Sequence, residues 1–125
     1  MQDQPSPLQL LQAVRSFIQD QAIPRLEGRA AFHARIAVNV LAIVERGLEH
    51  GPAHDAAESE RLEALLGHAG SLDELNRELC SRIRAGELDL ETPDLAEHLR
   101  ETTLEKLAVD QPRYAAYRRA VDEQE

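Results

Sequence analysis

The stretch that decides the fold is Gly28–Leu48, GRAAFHARIAVNVLAIVERGL, in which Ala, Val, Ile and Leu predominate. At about 1.5 Å per residue, a helix over residues 29–48 is roughly 30 Å long, the diameter of a small domain. Apolar side chains cover most of its circumference, and only a narrow wedge of Arg35, Asn39, Glu45 and Arg46 is polar. A helix apolar on nearly all sides is buried on nearly all sides, so we expect the other helices, or another chain, to surround this one.

Helical spacing of apolar residues continues on both sides of this stretch, and no segment alternates as a strand does. Gly51-Pro52 is predicted to end the central helix. Five other helices are predicted. They run from Ser6-Pro7 to Pro24, from about Ala57 to Leu66, from Ser71 to Gly86, from Thr92-Pro93 to about Val109, and from Tyr114 to Val121. The third of these begins with a capping box formed by Ser71 and Glu74. The predicted fold is an all-α, single-domain bundle of five to six helices wrapped around one long central apolar helix. It covers residues 1–125, with 1–5 and 122–125 frayed.

Composition excludes several functions. The chain has 125 residues, enough for one domain, and 14 basic against 23 acidic residues give a net charge of −9. That charge argues against nucleic acid and against an anionic membrane surface as partners. The single Cys80 and the absence of a signal-peptide pattern in MQDQPSPLQ predict a cytoplasmic protein. The uncharged run of the central helix is too short to span a bilayer.

The polar residues of the central helix are the first candidates for chemistry. His33 is either a general base or buried switch, or more simply a core histidine bonded to a carbonyl or carboxylate. Arg35 and Asn39, with Arg46 beside them, form a stripe that suits a carboxylate or phosphate. The same stripe suits pairing with acids of a neighbouring helix, which is the interpretation we favour.

The remaining histidines and the cysteine give weaker signals. His50 and His54 are four residues apart, but the predicted break at Gly51-Pro52 separates them, which argues against a metal site. His68 and His98 are predicted to be solvated, and Cys80 to act as a small hydrophobe. No glycine-rich phosphate loop, G-x-S-x-G elbow, C-x-x-C pair or H-E-x-x-H helix is present. We therefore assign no catalytic, cofactor-binding or metal-binding residue, and expect no cofactor.

Three stretches, taken together, resemble a family of small all-helical bacterial proteins with a domain of unknown function, DUF6285. The stretches are Gly28-Arg29 with Phe32-His33-Ala34-Arg35 and Asn39-Val40-Leu41; Leu75-Asn76 with Leu79-Cys80 and Ile83-Arg84; and His98-Leu99-Arg100 with Lys106 to Tyr114. The resemblance covers residues 8–117. The motif residues and the polar wedge give a candidate polar cluster or interface of Arg29, His33, Arg35, Asn39, Arg46, Arg113 and Tyr114.

The resemblance implies partners rather than chemistry. Members of the family look like neighbours, or occasionally fused extensions, of aminoglycoside-phosphotransferase-like kinases and acyl-CoA dehydrogenases. In the best understood type of pathway, a small protein similar to this one accompanies a kinase that phosphorylates hydroxyacyl-CoA. The expected function is that of a non-catalytic accessory subunit that binds and supports such a kinase. Two alternatives stay open: a small enzyme or ligand-binding protein with a pocket at His33, Arg35 and Asn39, and a structural homo-oligomer, most simply a twofold dimer.

Overall fold

The computed structural model describes residues 3–125, and all regular secondary structure in that range is helical, with no strand. A π-helical turn (Ile18–Ala22) and a 3-10 turn (Ile23–Arg25) connect the first two of its five α-helices. The five are α1 (Pro7–Phe17), α2 (Gly28–Leu66), α3 (Leu72–Arg84), α4 (Leu95–Asp110) and α5 (Ala115–Asp122). The predicted all-α class is confirmed. Met1 and Gln2, part of the segment predicted to fray, lie outside the described residues.

Two helix starts follow the local rules that predicted them. Ser6 caps α1 with Pro7 in its first turn, and Ser6 Oγ accepts a hydrogen bond from the Gln9 amide at 3.2 Å. Ser71 caps α3 in the same way, and the Glu74 carboxylate accepts from the Ser71 amide at 3.2 Å. That backbone hydrogen bond lowers the pKa of Glu74. Both capping residues satisfy amides that have no partner inside the helix.

The prediction that Gly51-Pro52 ends the central helix is wrong. Helix α2 continues through both residues and extends over 39 residues, with Pro52 inside it. A proline ring usually clashes with the Cβ and amide of the preceding residue, which turns that residue out of the helical region. Gly51 has no Cβ, so the part of this clash that involves a Cβ is absent. One steric reason to break the helix is therefore removed, whereas the missing proline N–H and the contact of the ring with the carbonyl four residues earlier remain.

The helix ends predicted at about Leu66 and at Gly86 agree with the ends of α2 and α3 to within two residues, and a glycine follows each helix. Gly67 follows α2 with a φ of 84°, and Gly86 follows α3 with a φ of 76°. These left-handed conformations close a helix at little cost when the residue lacks a Cβ. Asp94, at the start of α4, has a φ of 68° and is the non-glycine residue in the described chain with a positive φ.

The backbone contacts divide the chain into two units, Met1–Gly51 (unit 1) and Pro52–Glu125 (unit 2). Unit 2 contains an aliphatic core, formed by Leu62, Leu66, Leu75, Leu79 and Leu95 with Leu65, Leu72 and Leu88 packed against it. In the described part of unit 1, Ala31 is the one buried apolar side chain. The expectation of one domain over residues 1–125 stays a prediction.

The prediction that the stretch 29–48 is buried on nearly all sides is wrong for the single chain. Only Ala31 and Glu45 are buried in it, and Phe32 remains 59% exposed. The reason is that an apolar pattern shows what a helix can bury, not which surface covers it. The leucines that form the core pack against one another within unit 2.

We predict that Leu75→Ala lowers the free energy of unfolding by about 3 kcal/mol, because it removes a fully buried side chain and leaves a cavity. Leu90→Ala is the matched control: Leu90 is 86% exposed, so its truncation should cost less than about 0.5 kcal/mol. Urea denaturation followed by circular dichroism measures both. Equal losses for the two variants would contradict the position of the core.

Candidate functional site

The main surface feature of unit 1 is a row of exposed apolar side chains along α2. We name it the apolar stripe; its residues are Phe32, Ile36, Val40, Val44 and Leu48, which are between 43% and 59% exposed. Each residue is four positions after the previous one, so the side chains form one continuous ridge on the helix surface. A soluble monomer usually exposes such residues singly, and a contiguous row marks a binding surface.

A second row lies on α1. Leu10, Val14 and Phe17, the α1 stripe, are between 50% and 62% exposed and recur at helical spacing. Together with Leu26, unit 1 exposes nine large apolar side chains. In the described part of unit 2, four are exposed: Ile83, Leu90, Leu99 and Tyr114. Exposed apolar surface is therefore concentrated in the unit that has almost no core of its own.

An ion pair connects the two helices of unit 1. Arg15 Nε donates to Glu45 Oε2 at 2.7 Å, and the Glu45 side chain is only 8% exposed. The other carboxylate oxygen of Glu45 is buried and has no hydrogen-bond partner within the described residues. Arg15 follows Val14 and Glu45 follows Val44, so each charged residue is turned by about 100° from its stripe neighbour. Contact between α1 and α2 on the side of the ion pair therefore leaves both stripes uncovered.

We predict that Arg15→Met destabilises the protein by about 2 kcal/mol, because it leaves the buried Glu45 carboxylate without its cation. The value is below that of a fully buried pair because Arg15 is 31% exposed. The double variant with Glu45→Leu should regain stability to within about 1 kcal/mol of the parent, since replacing both charges removes the desolvation penalty. Thermal and urea unfolding measure this; a double variant less stable than Arg15→Met would refute it.

Unit 2 contains a polar network centred on Arg61. Its guanidinium donates to both oxygens of Glu105 at 3.1 and 2.9 Å, to Thr102 Oγ1 at 3.2 Å, and to His98 Nδ1 at 3.2 Å. The hydrogen bond with Glu105 raises the pKa of Arg61 above its ordinary value. All three nitrogens of the guanidinium donate within the network, so Arg61 holds α2 to α4 and is not free to bind an anion.

His98 is the buried titratable side chain of this network, only 3% exposed. Burial, and then the charge of Arg61, lower the pKa of His98 below its ordinary value. Because its Nδ1 accepts from Arg61, the neutral ring carries its proton on Nε2. The prediction that His98 is solvated is therefore wrong. The prediction for His68 is closer: its side chain is 51% exposed, although Nε2 lies 2.6 Å from Glu78 Oε2.

A cavity of about 540 Å³ lies beside this network at the start of α4. Three carboxylates and only one guanidinium line this cavity, and the guanidinium is already paired with Glu105. The lining residues are Arg61, Ala64, Leu65, Thr92, Pro93, Asp94, Glu97, His98 and Glu101. Such a lining repels phosphate groups, so the cavity is unsuited to a coenzyme A ester. Within residues 3–125, no group of three His, Cys, Asp or Glu side chains is arranged to hold a metal ion.

We predict that the stability of the protein falls as the pH drops below about 6.5, partly through His98. Its folded pKa is lowered, so the unfolded chain binds a proton first and stability decreases from pH 6.5 toward the folded pKa. His98→Gln keeps an acceptor for Arg61 but cannot titrate, so its unfolding free energy should vary less between pH 7.5 and 5.5. The raised pKa of His68 acts in the opposite sense in both proteins, and it cancels in the comparison. Parallel pH profiles from urea denaturation would contradict the prediction.

The residues predicted as a polar cluster lie in two different units. Arg29, His33, Arg35 and Asn39 are exposed along α2, and Arg46 is half-buried. Arg113 and Tyr114 are exposed at the start of α5 in unit 2. His33 is therefore not a core histidine; its ring lies 5.8 Å from that of Phe32. Cys80 is also exposed, in a shallow groove on α3, so it does not act as a small core hydrophobe.

Two features of the site were missed by the sequence analysis. Arg15 falls at helical spacing among Leu11 and Ile18, and a charge on an apolar face is the signal of a buried ion pair. The Arg61 network joins residues 37 and 44 positions apart, which no local pattern reveals.

The continuous α2 also removes the argument that a helix break separates His50 from His54.

The fold and these features define a small all-α protein with a polar network in one unit and an uncovered apolar surface in the other. The chain belongs to the DUF6285 family, a domain of unknown function, whose profile matches residues 24–114. The resemblance to this family is thus confirmed. No curated protein and no solved structure matches the chain significantly. No helix in residues 3–125 is both long and apolar enough to cross a membrane.

Proposed function

We propose that the protein is a non-catalytic interaction subunit, and that the apolar stripe of unit 1 is its protein-binding surface. The observation that carries this is the distribution of burial. The described part of unit 1 buries one apolar side chain, Ala31, and exposes nine large ones. Such a surface is stabilised when another protein covers it, since burying apolar area is the main favourable term in association.

The assembly that we propose contains a phosphotransferase-like kinase acting on hydroxyacyl-CoA substrates, with an acyl-CoA dehydrogenase as a further candidate partner. Support for this partner comes from the family resemblance. The acidic lining of the unit 2 cavity agrees with a division of roles in which the kinase, and not this chain, binds the phosphates of the coenzyme. The alternative pocket at His33, Arg35 and Asn39 is not supported by the geometry, because all three side chains are exposed.

We predict that the purified chain co-elutes with its kinase and raises kinase turnover. Val40→Glu with Val44→Glu should abolish both effects, because it places two charges on the middle of the stripe, where binding would desolvate them. The matched control is Leu90→Glu, which makes the same kind of change at an 86% exposed residue of unit 2. Size-exclusion chromatography and a kinase assay, with and without each variant, measure this.

The outcomes are distinct. Loss of co-elution with the stripe variant and not with Leu90→Glu supports the proposal. If the kinase does not bind the parent chain and its turnover is the same with and without the chain, the kinase is not the partner. Equal loss with both variants contradicts the apolar stripe as the binding surface.

A further inference from the structure

We infer that the protein seated on the apolar stripe is a second copy of this chain, so that the interaction subunit is a homodimer formed through unit 1. This inference rests on the proposed function and names the protein that covers the same surface: the kinase would then bind the dimer, and the stripe variant would lose the kinase because it loses the dimer. Three observations favour a second copy: the shape of the stripe, the distribution of charge and the amount of apolar surface.

The stripe is self-complementary in shape. Phe32, Ile36, Val40, Val44 and Leu48 form a single row at intervals of four residues, and Val40 is its midpoint. Packing the i±4 ridge of one helix into the groove beside the same ridge of another is the commonest helix-packing class, with an angle of about −50°. A twofold axis near Val40 would place Ile36 of one stripe near Val44 of the other, while Phe32 and Leu48, turned by roughly 80° to either side of Val40, would flank the contact.

Charge is divided unequally between the units. Unit 1 contains five acids and five arginines, so its net charge is zero. The remaining eighteen acids and nine basic residues lie in unit 2, which carries the whole charge of −9. Two copies that meet through unit 2 would repel each other, whereas unit 1 offers a neutral surface at which like chains can approach. The acids of unit 1 are Asp3, Asp20, Glu27, Glu45 and Glu49.

The amount of apolar surface agrees with a stable dimer. Nine large side chains of unit 1 are between 37% and 62% exposed, which corresponds to roughly 500 Å² of apolar surface. A standard interface buries about 800 Å² per partner, and about two-thirds of a homodimer interface is apolar, again roughly 500 Å². The second copy therefore needs to cover the apolar stripe together with much of the α1 stripe.

The test is the oligomeric state of the chain alone, measured by multi-angle light scattering and sedimentation equilibrium over a range of concentrations. We expect a dimer whose dissociation constant rises at least about 100-fold in Val40→Glu with Val44→Glu, and changes less than about threefold in Leu90→Glu. Far-UV circular dichroism verifies that each variant keeps its helix content. Both valines are about half exposed, so the substitutions do not disturb a core.

Three results separate this inference from the proposed function. A dimer lost in the stripe variant and kept in Leu90→Glu supports the inference. A monomeric parent chain whose stripe variant loses the kinase overturns the inference and leaves the proposed function standing. A dimer that persists in a helical stripe variant places the dimer interface elsewhere and also overturns the inference.

Discussion

The constraint on which the structure depends is that apolar surface must leave water, and this chain satisfies it in only one of its two units. In unit 2, Leu62 and Leu75 are completely buried among other leucines, and the Arg61 network ties α2 to α4 beside them. In unit 1, an ion pair connects α1 to α2, and Ala31 is the one buried apolar side chain among the described residues. The larger apolar side chains of unit 1 are left facing outward.

This contrast gives the two units different physical characters. Unit 2 is strongly acidic and has its own core, so its surface favours solubility and discourages close approach by another copy. Unit 1 is neutral and exposes its apolar rows, which suits a contact surface. The polar network of unit 2 is satisfied internally: each nitrogen of Arg61 donates, and His98 is kept neutral by burial. Its groups serve to hold helices together.

The sequence predicted what depends on neighbours along the chain. Ser6, Ser71, Gly67 and Gly86 all lie where their local chemistry places helix ends. It failed where the outcome depends on one missing atom or on distant partners. Helix α2 continues past Pro52, where the preceding Gly51 has no Cβ to meet the proline ring, and His98 is buried beside Arg61, a residue remote in sequence. The apolar face of α2 was recognised correctly as apolar, but the pattern could not show that Phe32, Val40 and the rest of the stripe stay exposed among the described residues.

The proline inside α2 has a consequence for how the protein moves. Pro52 has no N–H, so the helix lacks the backbone hydrogen bond that the carbonyl of Leu48, four residues earlier, would otherwise accept. That carbonyl belongs to the last residue of the apolar stripe, and Pro52 is the first residue of unit 2. Helix propagation is cooperative, and one missing bond weakens it locally. Amides on either side of this turn should therefore exchange with solvent sooner than those farther along the same helix, which makes it the natural point of local opening.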